Sequence, residues 1–104
     1  MNRKALKKVE RHIRSLLAGS GNVRRRQLVS LAKTLGRQES NRGKEPTYIS
    51  TIFPDMRPIT IPSHPGAMPR FTVESILDQL EGDDVVRWQQ ALEQNPDRSI
   101  TNGW

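Results

Sequence analysis

The stretch that most narrows the fold is residues 47–62, "TYISTIFPDMRPITIP". Its first half is rich in β-branched and aromatic residues. Alternation sets Tyr48, Ser50 and Ile52 on one side and Ile49, Thr51 and Phe53 on the other, which predicts a strand. "PDMR" then supplies Pro and Asp for a tight connection. "PITIP" is a second, shorter strand, bracketed by prolines that cannot donate ladder hydrogen bonds. The pair reads as an antiparallel hairpin, and such a sheet must bury one face against helices.

Helical periodicity supplies the cover. In "KALKKVERHIRSLLAGSG", Leu6, Val9, Ile13, Leu16 and Leu17 recur at three- and four-residue spacing, with Lys4, Lys7, Lys8, Arg11 and Arg14 mostly elsewhere. Gly19 and Gly21 end that amphipathic helix. "VRRRQLVSLAKTLG" repeats the pattern with Leu28, Leu31, Ala32 and Leu35 before Gly36. "RQESNRGKE" has almost nothing to bury and is a polar edge strand or a loop.

After the breaker-rich loop "SHPGAMPRF", "FTVESILDQLEG" predicts a helix beginning at Thr72. Thr72 would be its cap, and Phe71 and Ile76 would form a hydrophobic staple. Gly82 would interrupt that helix and Asp83 or Asp84 would cap a continuation burying Val85, Trp88 and Leu92. The expected fold is therefore α+β: a small antiparallel two- or three-stranded sheet packed on helices, with an extra N-terminal helix. The expected organisation is a basic amphipathic helix over 1–22, an α+β domain over 23–95 and a frayed tail over 96–104.

Length and composition bound the rest. A chain of 104 residues accommodates one compact core. With no cysteine, disulfides and thiolate zinc sites are excluded, and two histidines far apart in sequence, His12 and His64, make a weak case for a metal site. No apolar run reaches the roughly 18 residues of a membrane span, so a soluble protein is expected; a cytoplasmic location and no cofactor are expected besides.

Charge is the functional clue. Residues 1–44 carry 13 Lys/Arg against Glu10 and Glu39, a net of +11, whereas residues 45–104 carry 4 against 9 acids, a net of −5. A field of one sign attracts phosphate backbones, acidic proteins or anionic lipid. The first helix, with the run Arg24-Arg25-Arg26, suits a nucleic-acid backbone. Being amphipathic, basic and poor in acids, it also suits an organelle-targeting segment or a membrane surface.

Three segments together resemble the HicA-type toxins of bacterial toxin-antitoxin pairs. "QLVSLAKTLGRQ" is similar to that family's first helix and following glycine. "PDMRPITIPSHPG" is similar to its second turn, third strand and proline-histidine loop, and "FTVESILDQL" to its last helix. The resemblance covers about residues 27–80. It implies an α-β-β-β-α domain like double-stranded-RNA-binding domains, ribonuclease action on messenger RNA or RNA binding, and neutralisation by an acidic HicB-type antitoxin.

The family's Gly-Ser-His motif at the start of the second strand is replaced here by Pro46-Thr47-Tyr48 or, with a different gap, by Gly43-Lys44-Glu45. Neither triplet holds a histidine. Cleavage by a ribose 2'-hydroxyl needs a proton acceptor, a proton donor to the leaving oxygen, and positive charge at the phosphorane. The substitutes are Tyr48 as acid or positioning group, Glu45 as base, and His64. Expected RNA contacts are Arg24, Arg25, Arg26, Arg42, Lys44 and Arg57. If these groups do not catalyse, the same fold would serve as an RNA-binding or antitoxin-binding module.

Overall fold

The computed structural model describes residues 1–40 and 45–94. Arg42, Lys44 and the segment 96–104, for which RNA contacts and a frayed tail were expected, lie outside the described residues.

Asn2 starts the first helix, α1 (Arg3–Ala18), by accepting a hydrogen bond from the Ala5 amide at its Oδ1, 2.8 Å away. Most of its apolar stripe is spent inside: Leu6, Val9, Ile13 and Leu16 are buried, against α3 and α4, defined below, while Leu17 is only half-buried. The second helix, α2 (Arg25–Thr34), begins where the Gln27 side chain turns back to accept the Arg24 amide at 2.8 Å, one half of a capping box. It ends at Gly36, whose φ of +99° is left-handed and whose missing side chain would stand 2.6 Å from Ile52 Cγ1. Both conformation and space require glycine there.

The sheet follows: β1 (Arg37–Ser40), β2 (Thr47–Ser50) and β3 (Ile59–Thr60), antiparallel and in the order β1-β2-β3. Residues directly opposite one another share a face. The pairs Arg37 with Ser50 and Tyr48 with Ile59 bring four buried side chains against the helices, while Gln38, Ile49 and Thr60 face outward. The first part of the polar segment after Gly36, Arg37–Ser40, is thus an edge strand. The strand expected over 47–53 is shorter, however. Ser50 Oγ accepts the Phe53 amide at 2.8 Å and bends the chain out of the ladder, leaving Ile52 on the surface. The tight turn forms around Pro54 and Asp55, closed by the Met56 amide on the Phe53 carbonyl at 3.0 Å.

The last helical stretch corrects two expectations. It comprises α3 (Arg70–Gln79), a π-helical turn (Leu80–Val85) and α4 (Val86–Gln94) in one continuous run. Pro69 precedes its first residue and its carbonyl accepts the Val73 amide at 3.0 Å, so the helix starts two residues before Thr72. Phe71, in that first turn, is 84% exposed and makes no staple with Ile76. Gly82 does not break the helix either. The wider turn carries the chain through, and Leu80, Asp84 and Val85 all face inward.

Asp84 caps nothing. It is fully buried and receives Arg37 Nε at 2.8 Å and Nη2 at 2.7 Å, with both side chains shut off from solvent. Arg37 Nη1 also donates to the carbonyls of Tyr48 at 2.9 Å and Arg57 at 3.0 Å. One guanidinium thereby ties β1, β2, the approach to β3 and the π turn together. Burial pushes the Asp84 carboxyl up from its ordinary value, and the hydrogen bonds and charge of Arg37 pull it back.

The aromatic corner closes the other side of this junction. Trp88 Nε1 donates to the Leu35 carbonyl at 2.9 Å, and the Trp88 ring meets Phe53 edge to face with centroids 5.1 Å apart. No helix among the described residues is long and apolar enough to cross a membrane.

Candidate nucleic-acid interface at the start of helix α2

The arginine triplet lies at the N-terminal end of α2, where the helix leaves its amide groups pointing outward and its dipole favours anions. Arg24 and Arg26 are exposed, and neither forms an ion pair among the described residues. Arg25 is half-buried and turned inward. Its Nη2 donates to the Tyr48 hydroxyl at 3.3 Å and its Nε lies 3.4 Å from the Ile61 carbonyl. The Tyr48 hydroxyl in turn donates to Glu39 Oε1 at 3.2 Å.

Tyr48 therefore works as a connector. Only 1% of it is exposed, and its hydroxyl uses its single proton on Glu39 while accepting from Arg25. The sequence pattern indicated this position as a strand residue, but nothing in the pattern indicated that its hydroxyl would be occupied by an arginine 23 positions earlier.

The loop after β3 runs back along the same end of the molecule. Its beginning is fixed by the Ile61 amide on the Pro46 carbonyl at 3.1 Å. Its end is fixed by an antiparallel bridge between Arg24 and Ala67 and by the Met68 amide on the Val23 carbonyl at 2.8 Å. His64 stands exposed at the middle of this pinned loop, and Gly66 gives it a left-handed turn at φ +72°. Glu45, also exposed, immediately precedes Pro46. Arg24, Arg25, Arg26, Glu45, Tyr48 and the His64 loop thus belong to one end of the sheet.

Arg57 is not part of that end. Its carbonyl is held by Arg37, beside the Ser50 end of β2, and its guanidinium pairs with Asp83 at 3.2 Å. Arg57 borders a groove of about 670 Å³ along α3, shared with Leu17, Phe71, Glu74, Asp78 and Asp83, where acidic groups outnumber it. The two ends differ in balance: three arginines stand with Glu39 and Glu45 around the start of α2, whereas Glu74, Asp78 and Asp83 outnumber Arg57 along α3.

Among the described residues no group of three or more His, Asp or Glu side chains gathers as a metal site. The α2 end offers two exposed guanidiniums with no ion pair among the described residues, a helix N-terminus and an exposed imidazole on a pinned loop. Those groups can hold a phosphodiester by charge and hydrogen bonds. Comparisons of the chain with protein-family models, with curated proteins and with solved structures find no match.

Proposed function

We propose that this chain is an RNA-binding domain that holds the ribose-phosphate backbone at the start of α2. The reading takes up the HicA-like resemblance of residues 27–80 and the family's α-β-β-β-α order, in which α2, the three strands and α3 correspond. The observation that carries it is that Arg24 and Arg26 form no ion pair among the described residues and stand beside a loop bridged to Arg24 itself. Two exposed cations at a helix N-terminus suit a phosphate better than a neutral ligand. An acidic antitoxin-type protein would compete for the same end, because its carboxylates can use the same donors.

Binding is favoured over cleavage because Tyr48, which with one placement of the gap stands where the resembling family carries its histidine (Glu45 does so with the other), is buried and has its hydroxyl engaged on both sides. A second reading, metal-independent ribonuclease action, is kept by one feature: Glu45 and His64 are exposed and belong to the same end of the sheet as the arginines. In that reading Glu45 takes the 2'-hydroxyl proton, His64 protonates the leaving oxygen, and Arg24 faces the phosphorane.

The test is fluorescence anisotropy with labelled RNA, followed by gel analysis of the same samples after prolonged incubation. Intact RNA, bound with an affinity that falls steeply with salt and is lost in Arg24→Gln/Arg26→Gln, is the expected result. Cleavage products abolished by His64→Ala would transfer support to the second reading. Absence of any binding would remove both.

A further inference from the structure

Helix α1 carries a second charged surface that the site at α2 does not use. Its exposed side chains are Arg3, Lys4, Lys7, Lys8, Arg11, His12, Arg14, Ser15 and Ala18, so nothing apolar larger than alanine faces outward. Successive helical residues turn by 100°, and on that count Lys4, Lys7 and Arg11 point directly away from the buried stripe of Leu6, Val9, Ile13 and Leu16. The helix's one acid, Glu10, is half-buried and accepts a hydrogen bond from Gln89 Nε2 at 2.6 Å. Among the described residues only Arg14 of these cations forms an ion pair, with Glu81 at 3.5 Å. Six like charges along a helix about 24 Å long repel one another. Packing on α3 and α4 holds them in place regardless.

The kind of partner follows from what is missing. A membrane-surface helix sinks its apolar face into the lipid boundary, but here that face is consumed by the core, with Ile13 and its neighbours 8% exposed or less. An organelle-targeting segment read through its apolar face is disfavoured for the same reason. A specific protein interface needs an apolar centre, which this surface lacks. A polyphosphate needs neither, because its binding is driven by release of condensed counterions.

We infer that the outward face of α1, centred on Lys4, Lys7 and Arg11, is a second, sequence-independent contact for the RNA backbone, separate from the α2 end. The inference rests on the RNA-binding reading and adds a surface to it. Because α1 packs rigidly on α3 and α4, it adds phosphate contacts without the ordering cost that a disordered basic tail would incur.

The experiment compares full-length wild type with Lys4→Gln/Lys7→Gln/Arg11→Gln, using anisotropy with labelled duplex RNAs of unrelated sequence over about 50 to 200 mM salt. Removing three phosphate contacts should lower affinity roughly tenfold to hundredfold and flatten the slope of log K against log salt by about two to three. The loss should be equal for every sequence, and Lys4→Arg/Lys7→Arg should keep both values. Independently of any variant, saturating RNA should shield Lys4 and Lys7 of the wild type from a water-soluble acylating reagent.

An unchanged slope with unprotected lysines, while Arg24→Gln/Arg26→Gln still abolishes binding, overturns the α1 surface and leaves the α2 site standing. Wild type that binds no RNA overturns both. Salt-resistant binding of the wild type to phosphatidylserine vesicles would assign the helix to a membrane instead.

Discussion

Asp84 places its two carboxylate oxygens on the guanidinium of Arg37, at 2.7 and 2.8 Å, and neither side chain reaches solvent. The two residues lie 47 positions apart, so the pair fastens the first strand to the π turn of the last helix. Buried ion pairs add little over an apolar replacement, but losing one partner strands the other. Asp84→Ala should therefore cost about 3–5 kcal/mol, a large part of the 5–15 kcal/mol typical of a small domain. Asp84→Asn should cost less, since the amide oxygen keeps one hydrogen bond. Urea denaturation of the two variants measures both. A loss below about 1 kcal/mol in Asp84→Ala would show that water reaches Arg37.

Gly36→Ala should destabilise by about 2–4 kcal/mol, combining a left-handed conformation with an overpacked contact against Ile52. The two causes separate in the double variant Gly36→Ala/Ile52→Ala. Truncating the half-exposed Ile52 removes the 2.6 Å approach and leaves the backbone conformation untouched. Partial recovery in chemical denaturation is the expected result. Full recovery would mean that φ of +99° carries no penalty at this site.

Asp55 is held below its ordinary value, first by the hydrogen bonds that Arg87 donates at 2.7 and 3.0 Å, and also by backbone hydrogen bonding. A carboxyl whose folded value is depressed stabilises the fold above its unfolded value and loses that contribution as pH falls through the folded one. The pair is exposed, so its effect should be small and weaken with salt. Arg87 also stands over the Phe53 ring, 4.9 Å from its centroid. Carboxyl NMR titration should give a midpoint below the usual aspartate range in wild type. In Arg87→Gln the midpoint should move upward.

Tyr48→Phe separates connector from catalyst. Deleting the hydroxyl removes one hydrogen bond from Arg25 and one to Glu39. Both partners retain access to water, so the cost should be about 0.5–1.5 kcal/mol. RNA affinity should stay within about twofold, as expected for a group that does not touch the ligand. A large loss of affinity without a matching loss of stability would place the phenol at the RNA.

The elements legible in the sequence were those whose burial leaves a period. Leu6, Val9, Ile13 and Leu16 gave α1, Leu28, Leu31 and Ala32 gave α2, and all seven are buried. The Pro54-Asp55 turn was legible from its chemistry. What stayed hidden depends on partners far away in the chain. Arg37 looks like a solvent cation in a polar segment and Asp84 like a helix cap, because a buried pair leaves no periodic signature. The start of α3 was misread because Thr72 is a good cap by type. Pro69 fixes the helix two residues earlier and leaves Phe71 outside. At the candidate site, the arginine run and His64 were visible as residues. The loop bridge between Arg24 and Ala67 that sets them at one end was not.

Backbone amide NMR of the isotope-labelled chain during titration with a short RNA locates the RNA-binding surface residue by residue. Shifts are expected at Val23–Gln27, at residues 45–48 and in the His64 loop, with a second set along α1, all reversed by salt. Shifts confined to the acidic side of α3 around Phe71 and Asp78, or none at RNA concentrations that saturate ordinary nucleic-acid-binding domains, would contradict RNA binding at the start of α2.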